Sequence, residues 1–142
     1  NMEMKDLFEK VMQKSINMAL ATSVDNKPNV RVVTFAYDPA RAGKVFFTTF
    51  NRNQKVKEFA ENPYVACMPI PESPEADAQV RIFGTVQKSS VSLDEIIAII
   101  AKKYPGNADT IKEGGSMMDI YEICFDEAYV TAGMNPAEKV NV

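Results

Sequence analysis

The sequence predicts a mainly β fold of the α+β class, in which six antiparallel strands close into a barrel with helices at its periphery. Two observations carry this expectation. Six runs rich in β-branched and aromatic residues are separated mostly by short turns. Only brief helical stretches lie between them, whereas a parallel α/β sheet needs a crossover helix after nearly every strand. Closure also removes the strand edges that an open sheet of this kind would expose. The length of 142 residues is that of one domain, so 1–142 is read as a unit with an N-terminal helix in 1–14 and a C-terminal tail at 134–142.

Met4, Leu7, Phe8, Val11 and Met12 recur at the spacing of one helical face, which predicts a helix over 3–14. Ile16 to Val24 reads as the first strand, Asp25-Asn26-Lys27-Pro28 as turn chemistry, and Asn29 to Tyr37 as the returning strand of a hairpin. After the turn from Asp38-Pro39 to Gly43, Lys44 to Phe50 is a third strand with almost no polar interruption, expected to be buried on both faces. Asn53 is the expected N-cap of a short helix that carries Val56, Phe59 and Ala60 inward and stops at Asn62-Pro63. Tyr64 to Pro69 is the fourth strand, the proline-rich stretch from Pro69 to Ala78 an exposed loop, and Gln79 to Lys88 the fifth strand, with Gly84 relieving a tight bend. Ser92 and Glu95 have capping-box spacing, and Leu93, Ile96, Ile97, Ile100, Ala101 and Tyr104 form an apolar helical stripe that ends at Pro105-Gly106. A short helical turn around Ala108 to Lys112 precedes Gly114-Gly115, and Asp119 to Thr131 reads as a long sixth strand.

Composition narrows the chemistry. A net charge of −3 argues against nucleic-acid partners, so any anion site must be local. With no histidine there is no imidazole base, zinc ligand or haem ligand, and Cys67 and Cys124, each within an apolar run, read as reduced core thiols. No apolar run reaches the roughly 18–20 residues of a membrane span, and the acidic N-terminal segment is unlike a signal peptide, so the protein is expected to be cytoplasmic with no membrane partner. Chemistry, if present, is expected on a bound organic cofactor.

Three places could hold such a group. Strand alternation sets Arg31 on one face with Val33, Phe35 and Tyr37, where its guanidinium needs either an anionic ligand or a core carboxylate. The passage from Thr48 and Thr49 through Arg52, Asn53 and Gln54 to Lys55 brings hydroxyls, helix N-terminal amides and two cations together, the ingredients of a phosphate site. Its alternative is local: Asn53 as a cap and Lys55 as a solvated side chain. On the fifth strand Gln79, Arg81, Phe83 and Thr85 share a face that either meets a heterocycle or faces water. The isoleucine stripe is core or subunit contact.

In order and spacing, Leu20-Ala21-Thr22-Ser23 with Lys27-Pro28, Arg31-Val32-Val33-Thr34, Val45-Phe46-Phe47-Thr48-Thr49, Lys55-Val56 with Asn62-Pro63, and Gln79 to Gly84 resemble the FMN-binding split barrels related to pyridoxamine 5′-phosphate oxidase. The resemblance implies a split β-barrel that binds FMN. Arg31 and Lys55 would hold the FMN phosphate, Val32, Val33 and Thr34 would line the isoalloxazine ring, Thr48, Thr49, Asn53 and Gln54 would wrap the ribityl phosphate, and Gln79 would approach the flavin. It also implies a homodimer with FMN at the subunit interface, covering a wall that would otherwise expose Phe46, Phe47, Phe50 and the valines of the second strand. The implied activity is an oxidoreductase with an unassigned small-molecule substrate. A flavin-carrying module without a substrate, or a reductase using deazaflavin F420, are the alternatives. The absence of tryptophan, with the ending at Gly133 to Val142, argues against the biosynthetic oxidase reaction as the expected activity, and the absence of histidine argues against the haem-degrading branch.

Overall fold

The computed structural model describes residues 3–73 and 78–142. Its sheet is built from β1 (Asn17–Val24), β2 (Lys27–Ala36), β3 (Lys44–Phe50), β4 (Tyr64–Pro69), β5 (Ala78–Lys88), β6 (Met118–Cys124), β7 (Glu127–Ala132) and β8 (Glu138–Asn141). All pairings are antiparallel. The order β4-β1-β2-β3-β6-β5 closes on itself through a β4–β5 pairing, giving the predicted six-stranded barrel, and β7 and β8 extend it beyond β5. Four helices lie around it: α1 (Met4–Lys14), α2 (Gln54–Glu61), α3 (Leu93–Lys103) and α4 (Pro105–Gly114).

The β1–β2 connection is tighter than the sequence suggests. Only Asp25 and Asn26 form the loop, both at positive φ, so the turn suits the strand twist and Lys27 and Pro28 already belong to β2. Proline is tolerated there because that end of β2 pairs with β1 alone.

The predicted sixth strand, Asp119 to Thr131, is divided in two. Thr85 lies opposite Cys124 while Ile82 lies opposite Ala128, so three residues on one side face two on the other. This is a β-bulge at Phe125 and Asp126, which bends the run into β6 and β7. Gly84 sits opposite it, and a Cβ there would come within 2.4 Å of the Cys124 carbonyl oxygen, so the expected tight bend is real and requires glycine. The tail at 134–142 is also more ordered than expected, since β8 pairs with β7. The helical turn predicted at Ala108 to Lys112 extends over the ten residues of α4. Part of the loop expected from Pro69 to Ala78 lies outside the described residues.

Two apolar clusters follow from strand alternation. Inside the barrel, Leu20, Val33, Phe35, Val45, Phe47, Ile82 and Ile123 meet Leu7, Phe8 and Met12 of α1. On the outer wall, Ile96, Ile97 and Ile100 of α3 cover Ala36, Phe46 and Ile120. Ser92 caps α3 as expected, accepting from the Glu95 amide at 3.2 Å. β3 is thus buried on both faces, and Phe46 and Phe47 are fully enclosed, contrary to the expectation that a partner would be needed to cover them. Val30, Val32 and Phe50 do remain more than half exposed. None of the helices in the described residues is long and apolar enough to cross a membrane.

Candidate functional site

β2 and β3 pair only at Phe35–Phe47 and Ala36–Phe46. From Lys27 to Thr34 the inner side of the barrel therefore has no β3 ladder to close it, and α2 fills the gap. Phe59 of α2 packs 5.9 Å from the Phe47 ring and 5.3 Å from the Tyr121 ring, which seats the helix against β3 and β6. Asn62 at its end donates to the Ser23 carbonyl at 2.8 Å, fixing it to β1. Helical periodicity then places Lys55 and Glu58, three residues apart, on the face turned toward β2.

Arg31 meets them there. Its Nη1 donates to the Thr22 hydroxyl at 2.8 Å and to the Leu20 carbonyl at 3.2 Å, both on β1, which runs directly opposite. Its Nη2 forms a short ion pair with Glu58 Oε1, while Glu58 Oε2 accepts from Asn29 Nδ2 at 3.3 Å. The core-carboxylate alternative for Arg31 is therefore what the chain itself provides. Sequence reasoning did not single out Glu58, Thr22 or Asn29. Their signal was present in the Lys55-x-x-Glu58 spacing and in the position of Thr22 two residues past the partner of Arg31.

Lys55 is not a solvated side chain. It is 9% exposed, and among the described residues its side chain forms no hydrogen bond or salt bridge. Burial lowers its amine below the ordinary value, Arg31 lowers it further, and Glu58 pulls it back up. The cluster contains two cations and one carboxylate, and the carboxylate is committed to Arg31.

The other proposed ligands divide. Asn53 is a helix cap, its side chain accepting from the Lys55 amide at 3.1 Å while its carbonyl accepts from Val56 at 3.1 Å, so the first-turn amides are largely satisfied locally. Thr49 points inward, and its buried hydroxyl has no hydrogen-bond partner among the described residues. Thr48 is half-buried on the opposite face of β3, and Gln54 is exposed. Val33 belongs to the core, Val32 is 59% exposed on the outer wall, and Thr34 Oγ1 donates to Asn17 at 2.8 Å. Gln79 lies outward on β5 opposite Thr131 of β7, with no hydrogen bond to the Arg31 cluster.

On the outer wall opens a groove of about 700 Å³, lined among others by Ala21, Thr22, Asn62, Tyr64, Ala66 and Phe83. Thr22 belongs to both, lining the groove and accepting from Arg31. Neither Arg31 nor Lys55 lines the groove, so the two cations and the apolar hollow share only Thr22; the cations by themselves suit an oxyanion.

The pyridoxamine 5′-phosphate oxidase-like family profile matches residues 11–136. The chain belongs to that family. Among solved structures, a haem-binding protein from Mycobacterium smegmatis superposes with a TM-score of 0.79 at 14% identity, covering 99% of this chain. The chain spans only 59% of that protein's length. A Listeria innocua protein provisionally named a pyridoxamine 5′-phosphate oxidase gives 0.68 at 16% identity, over 92% of this chain and all of that one. An FAD-binding protein from Mesorhizobium loti gives 0.64 at 12%, over 86% and 89%. No curated protein matches the chain significantly. At such identities the likeness concerns the fold, a split barrel whose structural neighbours are described as binding haem in one case and a flavin in another.

Proposed function

We propose that the chain binds FMN, with the phosphate between Arg31 and Lys55, and serves as an FMN-dependent oxidoreductase assembled as a homodimer. The observation that carries the reading is Lys55: a largely buried lysine beside a guanidinium, with no ion pair of its own among the described residues, offers a positive charge to an anion. The orphaned Thr49 hydroxyl is a second group with bonding capacity to spare. A single phosphomonoester suits this anchor better than a pyrophosphate, because there is no second glycine-rich loop to hold one. None of the 142 residues is histidine, so an imidazole ligand to haem iron would have to come from elsewhere.

In this reading Arg31 and Lys55 bind the phosphate, Thr49 adds a hydroxyl, and the β2 backbone from Val32 to Thr34 runs beside the ring. When bound, the flavin supplies the redox chemistry, and the protein orients it and limits its contact with water. The homodimer rests on the outer wall. Across four strands, Val30 lies opposite Ala21, Ala21 opposite Ala66 and Ala66 opposite Phe83, and a second row joins Val32, Ala19 and Met68. Val30, Val32, Tyr64 and Phe83 are each more than half exposed on this contiguous apolar face. A second copy would cover it, and Gln79 on the outer face is available only to a ligand held across that contact.

The absorption spectrum of the purified protein, followed by titration with FMN and FAD, tests the cofactor assignment. FMN is expected to bind more tightly than FAD, and the reverse order or no flavin binding would contradict it. Bleaching of the bound flavin by NAD(P)H, with turnover of an acceptor, separates an enzyme from a carrier. Sedimentation at several concentrations is expected to show a dimer that FMN stabilises.

A further inference from the structure

Glu58 already occupies the Arg31 guanidinium. One oxygen holds the Arg31 guanidinium and the other takes the Asn29 amide, so the side chain is fixed at both ends in a largely buried position. The remaining Arg31 contacts, to Thr22 and Leu20, come from the barrel wall and are compatible with an added anion. Glu58 is not compatible in the same sense. A phosphate drawn to Arg31 and Lys55 arrives beside a buried carboxylate, and two anions at short range in a poorly hydrated site repel strongly.

We propose that Glu58 is a built-in competitor for the anion site, holding Arg31 in the ligand-free protein and giving it up when a phosphate binds. The proposal rests on the reading of Arg31 and Lys55 as the phosphate anchor and adds a determinant of its affinity. Glu58 plays two opposed parts. Without ligand it neutralises a guanidinium that would otherwise be buried unpaired, which stabilises the fold. With ligand it is surplus negative charge, which weakens binding. The same carboxylate therefore exchanges cofactor affinity for stability of the empty protein, and a bound phosphate takes over its role toward Arg31.

Glu58→Gln separates the two parts, since the amide keeps the shape and loses the charge, and its single oxygen can accept from Arg31 or from Asn29 but not from both. Binding of FMN and of inorganic phosphate is measured by calorimetry on wild type, Glu58→Gln and Glu58→Ala, with thermal melting in the presence and absence of phosphate. The expected result is about tenfold tighter binding of both ligands to Glu58→Gln, a lower melting temperature without anion, and a larger rise on adding phosphate than in wild type. Tighter phosphate binding in the variants without FMN binding to any of the three proteins would leave the competition standing and remove the flavin assignment. Unchanged or weaker phosphate and FMN binding in both variants would overturn the proposal and make Glu58 a residue that positions Arg31 for its ligand.

Discussion

The barrel holds two buried carboxylates next to cations, Glu58 and Glu122, and they are built differently. Glu122 on β6 is saturated. Lys44 reaches Oε2 at 2.8 Å, Ser89 donates to Oε1 at 2.7 Å, and Gln87 and Cys124 add bonds at 3.0 and 3.4 Å. Burial pushes its carboxyl up, yet those bonds outweigh it and hold the group down at about 2. One acid meets one cation there, and its polar capacity is used. Glu58 meets two cations and pairs with one, and the largely buried Lys55 has no ion pair among the described residues. A closed account of charge and hydrogen bonds marks a structural device, whereas a surplus of buried positive charge marks a place built for something more.

The largest effect is expected at the closed cluster and on stability alone. Glu122 has its folded value lowered from 4.5 to about 2, so its contribution is present above pH 4.5 and is lost as pH falls toward 2. That window corresponds to about 3 kcal/mol. Glu122→Gln should remove that much at neutral pH and flatten the acid limb of the unfolding curve, while FMN affinity stays as it was. A change in FMN affinity would erase the contrast between the clusters.

At the open cluster the effect should fall on binding. Lys55→Ala and Arg31→Ala are each expected to weaken FMN by roughly 1.5–3 kcal/mol, or about 10- to 150-fold, with the barrel still folded. Unchanged affinity in both would place the phosphate elsewhere.

Thr49→Val sharpens the comparison further. Removing a buried hydroxyl that lacks a partner should stabilise the ligand-free protein by about 1 kcal/mol and cost a few-fold in FMN affinity. Melting without ligand and titration with it read the two signs separately, and destabilisation without ligand would mean that the hydroxyl is already satisfied.

How much of this was legible in the sequence depends on the range of the interaction. Period-two alternation and turn residues give the strands of the barrel, and capping chemistry at Asn53 and Ser92 gives two helix starts, because those signals are local. The bulge at Phe125 and Asp126 was hidden because it exists only relative to the β5 register, although Gly84 carried a trace of it. Phe46 looked like subunit surface because its cover, α3, comes about fifty residues later. Arg31 was recognisable as a cation in apolar company, and Lys55 as a cation beside a helix start. Their meeting, and the presence of Glu58 between them, depends on β2 parting from β3 and on α2 filling the opening, a tertiary arrangement that no local pattern encodes.

The central claim is that the Arg31–Lys55 cluster is an anchor for a flavin phosphate. Riboflavin has the ring and ribityl chain of FMN without the phosphate, so titrating the wild-type protein with both, under one buffer and salt, isolates that contact. The expected result is FMN binding at least about tenfold tighter than riboflavin, with a difference that shrinks in Lys55→Ala. Equal affinity for the two flavins would show that the phosphate finds nothing in this cluster and would contradict the account.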